Sequence, residues 1–194
     1  MKIYKYKNYD EYMYNQVEAN KAKAGMTFVD KNSIFAIYGD LKKQRRHHTI
    51  KNILCHGTRG GAEQRFFEQY YPKAKIIGTE VGYAHAPMTV KWDFNKENIL
   101  WKGKMDLIYS NSIDHAFNPY DTLSVWKDQL VPKGKLYLEI STKLKSRKWD
   151  PVEMTSAEFK TLFDSLDLKI DNEWISSGLK GREFTTIYAL RRDT

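Results

Sequence analysis

The chain has 194 residues, of which 41% are hydrophobic and 14% aromatic, and these values predict one globular domain spanning 1–194 rather than a disordered chain. Its single cysteine, Cys55, excludes an internal disulfide and a cysteine-based zinc site. No apolar run approaches the roughly 20 residues that span a bilayer, so we expect a cytoplasmic protein with no membrane partner.

The charge balance is basic, with 32 Lys and Arg residues against 24 Asp and Glu residues and a net charge of +8. Such a charge admits a polyanionic partner, for example nucleic acid. A solvated, lysine-rich surface gives the same count. The charge therefore leaves a nucleic-acid partner open without favouring it, and the sequence indicates no oligomeric state.

Two helices are predicted at the start of the chain. Asn8 can cap a helix over 9–24, and a second amphipathic helix follows over 31–42. We interpret 1–48 as a helical lid or cap segment and 49–194 as the core. The alternative is that these helices pack directly against the sheet of the core.

Strands and helices alternate from Ile50 onward. The predicted strands are 50–55, 75–79, 89–92, 105–110, 135–141, 168–175 and 183–191, and the predicted helices are 62–71, 120–130 and 155–165. This alternation predicts an α/β fold, a single doubly wound and mostly parallel sheet with helices on both faces. The last two strands have no helix between them, so we expect a C-terminal antiparallel hairpin at one edge.

A glycine-rich turn, Cys55-His56-Gly57-Thr58-Arg59-Gly60-Gly61, joins the first strand of this sheet to its helix. Glycine there lets the backbone approach a nucleotide or amino-acid ligand closely. Glu80 ends the next strand, about 20 residues past the turn, where a carboxylate can accept hydrogen bonds from both ribose hydroxyls. Asp93 ends the third strand and can accept from an adenine amino group or cap a local turn. The carboxyl ends of parallel strands meet at one edge, so these residues are expected to surround one crevice.

This order of features resembles the class I S-adenosylmethionine-dependent methyltransferases. The resemblance covers 50–191 and includes Met105-Asp106-Leu107-Ile108-Tyr109-Ser110-Asn111-Ser112-Ile113-Asp114-His115 and the turn Leu130-Val131-Pro132-Lys133-Gly134-Lys135-Leu136-Tyr137-Leu138. It implies a Rossmann-like fold, S-adenosyl-L-methionine as the cofactor and methyl transfer as the activity. The cofactor-binding residues that we assign with it are His56, Gly57, Thr58, Arg59, Gly61, Glu80, Asp93, Ser110 and Asn111.

Two residues of the turn depart from the pattern of that family. Cys55 stands where the family usually has an acidic residue that helps to hold the donor's ammonium group, and Arg59 stands where it usually has a glycine. Arg59 can pair with the donor's carboxylate or with an acidic acceptor. The same departures keep open a relative that binds the donor without catalysis.

His115 is the first candidate for a general base, because it follows the fourth strand and histidine titrates near neutral pH. Asp114 can orient it or act alone, so the predicted catalytic pair is His115 and Asp114. His85 is the second candidate. His47 and His48 precede the first strand of the sheet and are expected at the opposite edge, and no metal site is indicated.

A basic loop after the fifth strand contains Lys143, Lys145, Arg147, Lys148 and Trp149. It suits an acceptor with a phosphate or carboxylate, or a stacked base, and a solvated loop is the alternative. The leading hypothesis is methylation of an oxygen or nitrogen of a small-molecule acceptor, acidic acceptors included. Methylation of RNA or DNA and a noncatalytic donor-binding module remain alternatives. A nicotinamide-dependent dehydrogenase is weaker, because the turn does not have the G-x-G-x-x-G spacing.

Overall fold

The computed structural model describes residues 1–82, 85–141, 145–176 and 185–192. Within these ranges the strands are β1 (Lys2–Ile3), β2 (Asn52–His56), β3 (Lys75–Glu80), β4 (Thr89–Lys91), β5 (Met105–Ser110), β6 (Leu130–Ile140), β7 (Val152–Glu153), β8 (Leu168–Ser176) and β9 (Thr185–Arg192). The α-helices are α1 (Tyr9–Ala22), α2 (Lys31–Lys43), α3 (Ala62–Tyr70), α4 (Pro119–Gln129) and α5 (Ser156–Ser165). Short 3₁₀ turns cover His47–Thr49 and Ile113–His115.

Seven strands form one sheet in the order β4-β3-β2-β5-β6-β9-β8. The strands from β4 to β6 pair in parallel, whereas β9 pairs antiparallel with both β6 and β8. The order reverses between β2 and β5, which places a switch point beside the glycine-rich turn. The predicted fold class, including the antiparallel hairpin at the edge, is confirmed.

Both faces of the sheet are buried, as a parallel sheet requires. Alternate residues of β2 belong to different clusters: Ile53 and Cys55 pack with α2 and α3, and Leu54 packs on the other face with α4 and α5. Side chains of successive strand residues point to opposite faces. The short apolar run of β2 therefore fills two hydrophobic cores at once.

The starts of four helices are set by side-chain caps. Asn8 accepts from the backbone N–H of Glu11, Asp30 caps α2, and Asn118 caps α4 ahead of Pro119. Thr155 and Glu158 form a reciprocal capping box at α5. These are the residue types that accept hydrogen bonds from the free N–H groups of a first helical turn.

The fifth predicted strand differs from the observed one. A turn at Gly134 followed by a strand from Lys135 was expected, but β6 begins at Leu130 and contains an irregularity instead. Met105 pairs with Leu130 and Leu107 with Lys135, so the intervening residues bulge out of the ladder. The predicted start of the last strand at 183, and residues 177–178 of the hairpin loop, lie outside the described residues.

The two N-terminal helices pack in different places. In α1, the Tyr12 hydroxyl donates to the backbone oxygen of His115 at 3.0 Å, which sets this helix across the carboxyl ends of the strands. Ile37 of α2 is completely buried in the core, and Asp40 accepts from the Tyr137 hydroxyl at 2.7 Å. Only α1 therefore lies over the crevice, whereas α2 is part of one face of the core.

A second, small sheet, formed by β1 and β7, was not predicted. Ile3 pairs with Val152, which fixes the N-terminus beside the segment that follows β6. Two-residue strands carry no readable periodicity, so pattern analysis could not find this pairing. None of the helices in the described part of the chain has the length and apolar character needed to cross a bilayer.

Candidate active site

A cavity of about 490 Å³ lies at the carboxyl ends of β2, β5 and β6. Its walls are the glycine-rich turn, the segment 111–115 after β5, and the end of β6. Lys23 and the connection between α1 and α2 close one side. The cavity therefore sits at the edge of the sheet where the sequence placed the crevice.

Two glycines of the turn are required by close packing. Gly57 has φ +75°, and a Cβ atom there would lie 2.7 Å from the Cβ of Ser112. Gly61 has φ +70°, and its Cβ would lie 2.9 Å from that of Ala86. Both conditions favour glycine, since other residues rarely adopt positive φ. Gly57 lines the cavity, whereas Gly61 forms the N-terminus of α3 behind it.

Arg59 also has a positive φ, +40°, at the position where the resembling family has glycine. The backbone therefore keeps the glycine-like conformation, at a cost of about 1 kcal/mol for a residue with a Cβ. The guanidinium carbon of Arg59 lies 4.6 Å from the centre of the Phe28 ring, in a cation–π contact at the cavity wall.

Glu80 supports the turn from the neighbouring strand. Its carboxylate accepts from the backbone N–H of Arg59 at 2.8 Å and from that of Gly82 at 3.1 Å. The side chain is buried and lies beside the turn rather than in the wall of the main cavity. A carboxylate accepts more than two hydrogen bonds, so capacity for ligand hydroxyls remains.

Asp93 is occupied by groups of the chain itself. It accepts from the Tyr9 hydroxyl of α1 and from the backbone and side-chain N–H groups of Asn95. Of the two alternatives considered for Asp93, the observed hydrogen bonds show the cap of the local turn. Binding of an adenine amino group by Asp93 stays a prediction.

Ser110 and Asn111, at the end of β5, have separate roles. Ser110 is completely buried and donates to the backbone oxygen of His56 at 3.1 Å, which ties β5 to β2. Asn111 lines the cavity, and its Nδ2 atom has no hydrogen-bond partner among the described residues. This amide is a donor available to a ligand.

The side chain of His56 does not face the main cavity, contrary to the expectation from sequence. Its ring stacks on Trp126 with 4.6 Å between ring centres. Its nitrogens are bonded to the Thr79 hydroxyl at 3.0 Å and to Oε1 of Gln129 at 2.9 Å. Burial lowers the pKa of His56 to about 4, so the ring is a neutral part of the core.

His115 lines the cavity, and its hydrogen bonds define its tautomer. Nδ1 lies 2.7 Å from the backbone oxygen of Trp149 and 3.1 Å from Oε1 of Gln16. Both are acceptors, so Nδ1 carries the proton. In the neutral ring Nε2 then has a free lone pair, which is the condition for a general base.

Two carboxylates flank Nε2 of His115. Asp150 lies 3.7 Å from it and Asp114 lies 3.8 Å from it. Burial raises the pKa of Asp114. Burial alone would raise the pKa of Asp150 too, but the cations around it outweigh burial and hold the pKa below its ordinary value. Two carboxyl groups with opposite shifts beside one histidine are typical of acid–base sites.

The ligand atoms of Asp114, His115 and Asp150 all lie within 4.8 Å of one another, a spacing that a metal ion could use. Asp150 is already paired with Lys23 at 3.3 Å and with Arg147. These cations compensate its charge and compete with any bound metal. Arg147 was predicted only as part of the basic loop, and Asp150, three residues further along the chain, was not predicted as a site residue.

Glu63 is a site residue that the sequence analysis missed. It is the second residue of α3, is 5% exposed and lines the cavity. Its Oε2 atom has no hydrogen-bond partner among the described residues, and burial raises its pKa from 4.5 to about 7. The sequence contains a usable signal, since the acidic Glu63 lies two residues past the last glycine of the turn.

Substitution of Glu63 by glutamine is expected to stabilise the protein at pH 8. The folded state binds a proton more tightly than the unfolded state, so stability is lost as pH rises from 4.5 through about 7. Removal of the charge should recover roughly 2 to 3 kcal/mol at pH 8 and little at pH 4. Chemical denaturation at both values measures this, with Glu68→Gln, an exposed change on the same helix, as the control. Equal stabilities at pH 8 would contradict it.

The predicted site residues divide into two groups. Six line the cavity, namely Gly57, Thr58, Arg59, Asn111, Asp114 and His115. The other five do not contribute to its wall, namely His56, Gly61, Glu80, Asp93 and Ser110. Glu80 and Asp93 lie toward the edge of the sheet at β3 and β4.

The remaining histidines and the basic loop take little part in the cavity. His85 is exposed. His47 and His48 form a 3₁₀ turn before β2, at the amino ends of the parallel strands and away from the cavity. Lys145 pairs with Glu153 at 3.0 Å, and Lys143 lies outside the described residues. Of the basic loop, Arg147 alone among its described residues lines the cavity.

The sheet order and the ligand-side turn together define the fold of the class I S-adenosylmethionine-dependent methyltransferases. Solved structures share it. The chain is similar to 1,6-didemethyltoxoflavin-N1-methyltransferase of Burkholderia thailandensis, solved with 1,6-didemethyltoxoflavin and S-adenosylhomocysteine. The TM-score is 0.68 and the identity 10%, over 98% of this chain and 93% of that chain. The predicted Rossmann-like fold is confirmed by this likeness.

Two further structures have the same fold. Magnesium protoporphyrin IX methyltransferase of Synechocystis PCC 6803, solved with bound S-adenosylmethionine, has a TM-score of 0.62 and 12% identity, over 96% of this chain and all 100% of that chain. The CurJ carbon methyltransferase has a TM-score of 0.54 and 13% identity over 74% of this chain, which spans about half, 49%, of the CurJ chain. No family model matches the sequence, and no curated protein does.

Proposed function

We propose that the protein is an S-adenosylmethionine-dependent methyltransferase that acts on an oxygen or nitrogen atom of a small-molecule acceptor. The observation that carries the proposal is the placement of His115 Nε2, with its lone pair free, in the same cavity as the glycine-rich turn. The fold supports the donor, since neighbours with this fold were solved with S-adenosylmethionine or S-adenosylhomocysteine.

The residues present fit such a donor. The glycine-rich turn exposes Gly57 in the cavity wall, and the unpartnered Nδ2 of Asn111 offers a hydrogen bond in the same cavity. Glu80 offers acceptor capacity to ribose hydroxyls at the end of β3, next to the switch point of the sheet, which supports binding of the nucleoside there. When bound, the cofactor supplies a methyl group already activated by a sulfonium.

The chain then has two tasks. It must hold the acceptor in line with the methyl group, and it must take a proton from an acceptor atom that carries one. His115 takes that proton at Nε2, while Trp149 fixes the ring through the bond from Nδ1. Asp114 and Asp150 stabilise the imidazolium that forms, since both lie within 4 Å of Nε2.

A small acceptor fits the size and charge of the cavity. About 490 Å³ must hold part of the donor as well as the acceptor, which favours a small molecule over a polymer as the acceptor. Lys23, Arg59 and Arg147 line the walls, so an acceptor with a carboxylate or phosphate is favoured. The neighbours 1,6-didemethyltoxoflavin-N1-methyltransferase and magnesium protoporphyrin IX methyltransferase also carry names of small-molecule acceptors.

We now restrict the lid interpretation to α1, which lies over the crevice. The Tyr9 hydroxyl of this helix donates a hydrogen bond to Asp93. Tyr9→Phe is expected to bind S-adenosylhomocysteine roughly 3- to 10-fold more tightly, because the closed position of α1 loses a hydrogen bond to a carboxylate. Calorimetric titration measures this. Tyr14→Phe, at a 67% exposed position of the same helix, is the matched control. Weaker binding by Tyr9→Phe would contradict the lid.

The test of the proposed function is titration of the protein with S-adenosylmethionine and S-adenosylhomocysteine, followed by a screen of small acidic oxygen and nitrogen acceptors. Micromolar affinity and methylation of an acceptor are expected. A folded sample that binds neither ligand at millimolar concentration would overturn the proposal.

A donor-binding module without catalysis is the second candidate. The occupied state of Asp93 and the replacement of the strand-end acid by Cys55 favour it. Tight donor binding with no transfer to any acceptor would support this candidate over the enzyme. The hydrogen bond from His115 Nδ1 to Trp149 and the two carboxylates beside Nε2 favour the enzyme.

A further inference from the structure

Glu63 presents an unusual combination of burial and charge in the cavity wall. It is 5% exposed, and its Oε2 atom is shielded from solvent without a hydrogen-bond partner among the described residues. An unpaired buried carboxylate is destabilising by several kcal/mol. The mechanism proposed above gives it no task. A ligand with a positive group at this position would account for it.

The surroundings of Glu63 match both charges of an α-amino acid. Glu63 provides a negative group, whereas Arg59 and the N-terminus of α3, which begins at Ala62, provide positive charge on the same turn. An α-amino acid carries an ammonium and a carboxylate on one carbon atom. A wall with one anion and one cation within five residues is complementary to that pair.

Cys55, at the end of β2, gives a reason for a carboxylate on α3 at Glu63. Its thiol is completely buried at the end of β2 and has no charge to offer a ligand. Burial raises the pKa of Cys55, and the nearby charge of Glu63 raises it further. The negative charge missing from the strand end is thus supplied from the first turn of α3.

We propose that the Glu63 carboxylate binds the α-ammonium group of the donor's amino-acid part, in place of an acidic residue at position 55. This inference rests on the proposed function, since it takes the donor to be S-adenosylmethionine. It names the residue that recognises the ammonium group of the donor, and it places that residue on the first turn of α3. Arg59 and the start of α3 face the carboxylate of the same ligand.

Three ligands separate this role from general support of the cavity. S-adenosylhomocysteine carries the ammonium, its deamino analogue keeps only the carboxylate, and 5′-methylthioadenosine lacks both groups. Calorimetric titration of the full chain with each ligand is compared for the wild type, Glu63→Gln and Glu68→Gln. The last variant removes the same charge from an exposed position of α3.

Glu63→Gln is expected to weaken S-adenosylhomocysteine binding by roughly 10- to 100-fold, as for a buried charge pair that loses one member. Binding of the deamino analogue and of 5′-methylthioadenosine should change by less than about 2-fold, because neither presents an ammonium to the lost charge. Glu68→Gln should behave as the wild type with all three.

Two outcomes would overturn the role of Glu63 but leave the proposed function standing. One is an unchanged affinity of Glu63→Gln for S-adenosylhomocysteine, and the other is an equal loss of affinity for all three ligands. Failure of the wild type to bind both S-adenosylhomocysteine and 5′-methylthioadenosine would instead overturn the proposed function, and this inference with it. The two failures are therefore distinguishable.

Discussion

His115→Asn is expected to lower the rate of methyl transfer by roughly 10²- to 10⁴-fold, the usual contribution of a positioned general base. Asparagine can still donate to the backbone oxygen of Trp149, as Nδ1 does at 2.7 Å. It has no group in the position of Nε2. The variant therefore keeps the local hydrogen bond and loses the base, and kcat is measured on the best acceptor found in the screen.

The donor affinity of His115→Asn should stay within about 2-fold of the wild type, because a base that acts on the acceptor contributes little to donor binding. His85→Asn is the matched control, since His85 is exposed and does not line the cavity. A variant at 115 with near-normal kcat would show that the acceptor needs no base, or that another group removes its proton.

Glu80→Ala is expected to weaken binding of both S-adenosylhomocysteine and 5′-methylthioadenosine by about 100-fold, the effect of losing hydrogen bonds to a charged group. Both ligands carry the ribose, so both should lose affinity together. Glu80 also accepts from the backbone N–H of Arg59 at 2.8 Å, so the turn loses support as well. Calorimetric titration gives the two affinities.

The pattern across ligands distinguishes Glu80 from Glu63. We expect loss of the carboxylate at position 80 to weaken binding of both ligands, and loss of the carboxylate at position 63 to weaken binding only of the ligand with an ammonium group. Glu97→Ala controls for the loss of one negative charge, because Glu97 is exposed and pairs with Lys102 in a surface contact of 2.9 Å. If Glu80→Ala bound both ligands with the affinity of the wild type, the result would contradict binding of the ribose at the end of β3.

The local patterns of the sequence were sufficient for most of the fold. The run that became β2 is short, apolar and followed by glycine, and the caps at Asn8 and Thr155 are strong helix starts. The helices that separate successive strands then predict that these strands pair in parallel. The bulge after Leu130 was not predictable, because it depends on pairing with β5 rather than on local propensity.

The candidate site was predictable by position but not by orientation. Glu80 lies at the end of β3 and Asp93 lies two residues past the end of β4, close to the predicted strand ends, but whether they bind a cofactor stays a prediction. The sequence does not say which way a side chain turns, so His56 was expected in the pocket although it stacks on Trp126. The hydrogen bond from Tyr9 to Asp93 joins residues 84 positions apart and has no local signal.

The attachment of both ends of α1 has a consequence for ligand exchange. Pairing of β1 with β7 holds the segment before α1, and burial of α2 in the core holds the segment after it. Attachment at both ends restricts rigid-body movement of α1, so we expect the crevice to open through partial melting of that helix. Dissociation of a bound nucleoside should therefore accelerate steeply on warming, with an activation enthalpy typical of unfolding rather than of diffusion.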